Sequence, residues 1–287
     1  MLGANTSSEL RGDYTRARAD FSVDQAWTTY TEADQALWRT LYRRQSQLVQ
    51  DYACAEFCNG LKLVDAAERV PNLDRISDGL EKKTGWRLVA VPGFIPDDQF
   101  FRHLAARRFP VTVWLRKPEE MDYLVEPDIF HDFFGHVPML YQPQFADYVQ
   151  LYGQQGLEAL KQGSLALLAR VYWYTVEFGL IRTREGLRAY GAGILSSPGE
   201  TVYAVEDPRS VRIRFIMERC MRTRYMIDDF QKIYFVIDSL DDLARGMSQD
   251  FKPLMAQLKN LADLEPDCTS AGDELIAPRP RLTQKAA

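Results

Sequence analysis

Residues 126–138 read Glu126-Pro127-Asp128-Ile129-Phe130-His131-Asp132-Phe133-Phe134-Gly135-His136-Val137-Pro138, and they carry two of the three histidines in a chain of 287 residues. Both histidines lie in a mainly apolar run that closes on Gly and Pro. On an ideal α-helix a five-residue separation turns the side chain by about 500°, which leaves the two imidazoles about 140° apart. One metal ion can still bind both if the backbone changes course between them. Gly135 frees the chain and Pro138 disfavours a helical Val137, so the spacing predicts a helix that ends near Gly135 and turns His136 back. Two separate core histidines with satisfied ring nitrogens are the alternative reading.

A second run, Ser164 to Leu180, is apolar or aromatic on every side as far as Glu177, apart from Arg170. That pattern predicts a helix buried all round. A carboxylate inside it needs a partner, because an unpaired buried charge is protonated or destabilises the fold. The partner is either an arginine or a metal shared with His131 and His136. Two imidazoles and one carboxylate with other positions left open suit non-haem Fe(II). Zinc accepts the same three ligands with a water and then supports hydrolysis, so the residue types alone leave both metals open. Trp173 and Phe178 beside Glu177, Phe130, Phe133 and Phe134 beside the histidines, and Tyr123 upstream would make a pocket fit for an aromatic ring.

Outward from these runs the chain is mainly α with small β-sheet elements, an α+β class. Residues 1–20 are polar and aperiodic and read as a mobile arm. Thr31-x-x-Asp34 is a capping box that opens a helix with apolar residues from Leu37 to Tyr52 at three- and four-residue steps. A shorter helix over about 73–83 stops before Gly85. Arg87–Val91 reads as a strand closed by Pro92-Gly93. Asp97 is positioned to cap a helix running to about Arg107, and Pro110 starts the next element. Val111–Arg116 alternates, which places Thr112, Trp114 and Arg116 on one strand face. An arginine there can grip a carboxylate with two donors, or simply be solvated.

Gly191-Ala192-Gly193 lacks a dinucleotide fingerprint and reads as a turn. The arginines from Arg209 to Arg224 are interrupted by apolar residues and read as an amphipathic segment with a solvated face. Ile233–Ile237 is a strand, and Ser239-x-x-Asp242 opens another helix. From Leu264 the chain is rich in Pro, Asp, Ser and Gly and reads as a mobile tail, 264–287, after a single catalytic domain over 21–263.

The charge balance is 35 basic against 40 acidic residues, a net −5, with a pI near 5.4. That gives no ground for a nucleic-acid or other polyanion partner. Cys54 and Cys58 lie one helical turn apart, and with Cys220 and Cys268 they lack zinc-ribbon spacing, so reduced thiols are expected. No secretory h-region follows Met1 and no uncharged apolar run reaches ~18 residues, so no membrane segment is expected and a cytoplasmic protein is.

Three blocks carry a resemblance. The 126–138 run, Trp173–Leu180 and Tyr190–Glu200 resemble the pterin-dependent aromatic amino acid hydroxylases, most nearly the short bacterial phenylalanine 4-monooxygenases. The resemblance spans roughly residues 30–245 and is without counterparts of the animal enzymes' regulatory domain and tetramerisation helix, so a monomer is expected. It implies Fe(II) on His131, His136 and Glu177. It also implies tetrahydrobiopterin, or a related reduced pterin, against Phe100, with Tyr172 and the Gly93-Phe94-Ile95 loop around it. The substrate carboxylate would meet Arg116, near Ser196 and Ser197, and its ring would lie among Pro127, His131, Trp173 and Phe178. Asp128 would orient a ligand histidine.

Leu124, Pro110 and Asp132 stand where animal members have Thr, His and Glu, a departure that bears on pterin and substrate contacts. The implied reaction is hydroxylation of L-phenylalanine to L-tyrosine by O2, with two electrons from the pterin. Tryptophan or tyrosine as substrate is the neighbouring alternative within the family. A zinc hydrolase on the same ligands, or an amino-acid sensor without turnover, are the alternatives outside it.

Overall fold

Thr31 caps the first long helix as its spacing predicts: its backbone N–H donates to Asp34 Oδ2 at 2.8 Å and its Oγ1 accepts from the Asp34 N–H at 3.2 Å. The structure, a computed structural model, describes residues 10–280 except 123 and 125. In chain order the helices and strands are α1 (Glu32–Tyr52), α2 (Ala55–Leu63), α3 (Leu73–Thr84), β1 (Arg87–Val91), α4 (Asp97–Ala105), β2 (Arg108–Thr112), α5 (Val137–Leu140), α6 (Pro143–Lys161), α7 (Leu165–Tyr172), β3 (Leu180–Thr183), β4 (Gly186–Ala189), α8 (Ala192–Ser196), α9 (Pro198–Glu206), β5 (Val211–Arg214), α10 (Met217–Arg222), β6 (Ile233–Ile237), α11 (Leu240–Met247) and α12 (Phe251–Leu258). Two π-helical turns, His131–His136 and Trp173–Glu177, are inserted before α5 and after α7. Helices dominate, as the α+β reading expects. The strands form a parallel pair, β1 with β2, and a four-stranded sheet in the order β4-β3-β6-β5.

The helix over 73–83 is α3, which ends on Gly85 in the left-handed conformation at φ 74°. Asp97 is the first residue of α4 rather than its cap; Pro96 holds the cap position, with its fixed φ already suited to a helix start. The strand expected over 111–116 lies earlier, at Arg108–Thr112. Pro110 sits inside it opposite Val89, which a two-stranded sheet tolerates because each strand has an unpaired edge. Beyond Thr112 the chain leaves the sheet, its Trp114 carbonyl accepting from the Ile129 N–H at 2.9 Å.

Gly191 caps the N-terminus of α8, so the expected turn at 191–193 is the start of a helix. The arginine-rich segment is not simply solvated either. Arg212 and Arg219 are buried, Arg212 on the Ala204 and Ser210 carbonyls at 2.7 and 2.8 Å and Arg219 on Asp273 at 2.9 Å.

Both chain ends dock where they are described. Tyr14 donates to the Phe94 carbonyl at 2.9 Å and Asp20 pairs with Arg108 at 2.7 Å. In the expected tail, Ile276 N–H reaches Arg212 O and Arg279 N–H reaches Val205 O, each at 2.9 Å, and Arg279 also pairs with Glu206. Backbone donors and buried ion pairs hold segments whose composition alone reads as loose. Residues 1–9 and 281–287 lie outside the described residues.

Candidate active site

His131 and His136 converge because the helix widens between them, not because it stops. The turn from His131 to His136 closes on the fifth residue instead of the fourth and then runs on into α5 with Pro138 in its first turn. An i→i+5 turn brings residues five apart near one face, which the α-helical geometry assumed from sequence does not. The rings lie 5.3 Å apart between centroids. The second π-turn, Trp173–Glu177, presents the carboxylate. Glu177 Oε1 is 3.0 Å from His136 Nε2 and its Oε2 is 3.6 Å from His131 Nε2. One donor atom from each residue falls within 4.8 Å of the others, and this is the only such trio among the described residues.

Close backbone approach makes the trio possible. A Cβ on Gly135 would lie 2.9 Å from both the Cβ and the carbonyl oxygen of Ala192, so glycine lets α8 rest on the first π-turn. A Cβ on Gly191 would lie 2.5 Å from the Glu177 carbonyl oxygen, so the same segment also abuts the second π-turn. Ser196, at the end of α8, then reaches His131 Nδ1 at 2.9 Å. The ring nitrogen of His131 is therefore oriented by Ser196. Asp128 orients the backbone instead, accepting from the His131 N–H at 2.9 Å, while its two oxygens grip Arg116 Nη2 and Nε at 2.9 Å each. His136 Nδ1 is sealed without a partner among the described residues, and its ring is held by packing, 4.9 Å from Phe109 and 6.3 Å from Tyr172 between centroids.

Burial opposes charge on Glu177, yet the His136 and His131 imidazoles outweigh it and hold the carboxyl far below the ordinary range. Burial likewise opposes an imidazolium at His131, and Glu177 overcomes it, so that pKa rises. Asp132 is pushed up by burial, although its Oδ2 accepts from the Thr112 N–H at 2.8 Å. A cation that displaces the imidazole protons meets the same carboxylate and two ring nitrogens, which the geometry already brings together.

The trio opens on a cavity of 510 Å³. Gly93, Ile95, Phe100 and Tyr172 line it, and so do Arg116, Pro127, Trp173, Phe178, Ser196 and Ser197, the residues expected to receive the pterin and the substrate. Phe100 meets Tyr172 edge-on at 5.6 Å, and Trp173 packs 5.0 Å from Phe178. Phe130, Phe133 and Phe134 are a correction. They point away from the cavity into the core, where Phe130 stacks on Phe134 at 5.0 Å and meets Trp38 at 5.6 Å. An alternating wide turn puts histidines and phenylalanines on different sides, and sequence adjacency could not reveal it. Tyr123 lies outside the described residues. Several wall residues had no sequence signal, among them Met121, Gln231 and Tyr225, the last stacked on Trp173 at 4.3 Å. Glu200 also lines the cavity; it lies in a block quoted for the resemblance, without a role.

The model of the family described as biopterin-dependent aromatic amino acid hydroxylase matches residues 15–267. This chain belongs to that family. A phenylalanine-4-hydroxylase of Caulobacter vibrioides is 54% identical over 249 residues, 86% of this chain and 85% of the relative. A crystal structure of the Chromobacterium violaceum phenylalanine hydroxylase with bound iron(III) and oxidised 7,8-dihydrobiopterin superposes with a TM-score of 0.87 at 50% identity, covering 91% of this hydroxylase chain and 94% of that one. An iron- and phenylalanine-bound structure of the same Chromobacterium enzyme gives 0.87 at 48% identity, over 91% and 96% of the two chains. The donor set here fits the iron of this family: two imidazoles and a charged carboxylate on one side, and open cavity on the other.

Proposed function

We infer that this hydroxylase converts L-phenylalanine to L-tyrosine with O2 and a reduced pterin at a non-haem iron. The observation that carries it is the trio of His131, His136 and Glu177 facing a cavity walled by aromatic rings and holding one buried arginine. His131, His136 and Glu177 hold Fe(II). Bound there, iron and tetrahydrobiopterin together activate O2, placing one oxygen atom on the substrate ring and the other on the pterin.

The chain's own residues bind, orient and shield. Arg116 is fixed by Asp128, and its Nη1 has only a 3.3 Å contact to the Met121 carbonyl, which leaves donor capacity for a substrate carboxylate. Trp173, Phe178 and Pro127 receive the ring; Ser196 fixes the His131 imidazole beside it. Phe100, Tyr172 and the backbone of Gly93 and Ile95 receive the pterin. The apolar walls exclude water from the reacting atoms. Holding the ring against the metal side of the cavity is worth several kcal/mol, on the order found for well-oriented neighbours.

The catalytic domain expected over 21–263 works with both flanking segments docked on it, as a monomer. A reducing compartment, the cytoplasm, suits four unpaired cysteines, two of them buried. No helix among the described residues is long and apolar enough to cross a membrane. Anaerobic loading with Fe(II), followed by phenylalanine, tetrahydrobiopterin and O2, tests the reading. Tyrosine formation that needs both iron and pterin is expected. Faster turnover of tryptophan or tyrosine than of phenylalanine would overturn the choice of substrate.

A further inference from the structure

Among the carboxylates that line the cavity outside the metal trio, Glu200 is the most deeply buried. Glu200 stands in the first turn of α9 with 6% of its surface exposed, and it lines the same cavity as Arg116. Its Oε1 accepts from the Tyr234 hydroxyl at 2.7 Å and from the Gln231 N–H at 3.2 Å. Its Oε2 makes no hydrogen bond or ion pair among the described residues, on a side chain that lines the cavity. Burial pushes the Glu200 carboxyl up to about 7 in spite of the two donors. A cation brought into the cavity would restore its charged form.

The position matches a particular cation. Ser196 touches His131, Ser197 caps α9, and the Glu200 N–H lies 3.4 Å from Ser197 Oγ. Glu200 is therefore one helical turn, about 5 Å of rise, beyond the corner that meets the metal ligand. Asp132, beside His131, accepts from the Thr112 N–H, and Asp122, Asp228 and Asp229 are exposed at the rim, so the cavity offers one guanidinium with donor capacity and, at Glu200, a buried carboxylate oxygen without a partner away from the metal ligands, which is the complement of a zwitterionic amino acid. We propose that Glu200 receives the α-ammonium group of the substrate while Arg116 takes its carboxylate. This rests on the phenylalanine reading above. It makes Glu200 a binding residue that separates amino acids from other aromatic acids.

The alternative is that Glu200 merely ties α9 to β6 through Tyr234 and Gln231. Glu200→Gln keeps an acceptor for both donors and removes only the charge. The test is calorimetric binding of L-phenylalanine and of 3-phenylpropanoate, which has the ring and carboxylate but no ammonium, to iron-loaded wild type, Glu200→Gln and Glu200→Asp, with Tm as a control. Glu200→Gln is expected to weaken phenylalanine about tenfold or more, the scale of a charge-assisted hydrogen bond, and to leave 3-phenylpropanoate within about twofold. Glu200→Asp retains part of the phenylalanine affinity, and the KM for phenylalanine rises while that for pterin does not. Equal weakening of both ligands, or no weakening of phenylalanine, overturns the proposal. Failure of wild type to form tyrosine would count against the hydroxylase reading alone, since the selective loss is read from binding without turnover.

Discussion

Arg116 and Asp128 form a two-point ion pair in which both side chains are buried, 6% and 0% exposed, and the same Asp128 carboxylate accepts the backbone N–H of His131. One buried group therefore sets both the arginine of the cavity wall and the start of the turn that carries His131 and His136. Removing one partner of such a pair strands the other charge and typically costs ~3–5 kcal/mol. Asp128→Ala is expected to lower the Tm, raise the KM for phenylalanine and lower iron occupancy together. Calorimetry and metal analysis on the same preparation check it; a variant with normal iron and normal KM would separate the two roles assigned to Asp128.

Arg116→Ala acts on the substrate rather than on the pterin. Its KM for phenylalanine is expected to rise about a hundredfold, the scale of one or two charge-assisted hydrogen bonds lost, while pterin-dependent O2 uptake without product persists. Oxygen-electrode traces beside tyrosine assays would show this. Loss of O2 uptake with an unchanged phenylalanine KM would remove Arg116 from the carboxylate role.

Gly135→Ala forces a methyl against Ala192, whose Cβ and carbonyl oxygen are each 2.9 Å from the added atom. Overpacking of this kind costs ~1–3 kcal/mol. The α8 segment must move, and with it the hydrogen bond from Ser196 to His131. Lower thermal stability and weaker iron binding are expected, with partial recovery in the Gly135→Ala, Ala192→Gly double variant because only the side-chain clash is relieved. Additive losses in the double variant would argue against direct contact.

Arg170 grips both oxygens of Asp263, at 2.7 and 2.6 Å, and these hydrogen bonds hold the Asp263 carboxyl below its ordinary 3.8. A depressed folded-state pKa stabilises the fold above the unfolded pKa, and that stabilisation is lost as pH falls through the folded value. Asp263→Asn is therefore expected to lower the Tm at neutral pH and to narrow the gap to wild type as the pH drops below 3.8. A Tm difference that stays constant across the acid range would mean that the pair adds no pH-dependent stability.

Much of this is legible in the amino-acid sequence. The capping residues Thr31 and Ser239, the strands Arg87–Val91 and Ile233–Ile237, and the three candidate metal ligands follow from spacing, periodicity and the cost of burying a carboxylate. The two π-turns did not, because their apolar pattern fits an α-helix equally well and the fifth-residue closure depends on how Gly135 and Gly191 pack against neighbours distant in sequence. For the same reason Phe133 and Phe134 were expected in the cavity and belong to the core. Buried arginines such as Arg212 and Arg219 also escaped, since their partners are carbonyls and carboxylates supplied by distant segments.

The central claim is that His131, His136 and Glu177 hold one ferrous ion that the reaction requires. Its most direct test is iron bound per chain, measured beside tyrosine formed per pterin oxidised, in anaerobically loaded wild type and Glu177→Gln. A single equivalent of iron with iron-dependent tyrosine formation in wild type, and a loss of affinity beyond the ~10–100-fold of an outer-shell change in the variant, is the predicted result. Unchanged iron content in Glu177→Gln, or tyrosine formation by metal-free protein, would contradict it.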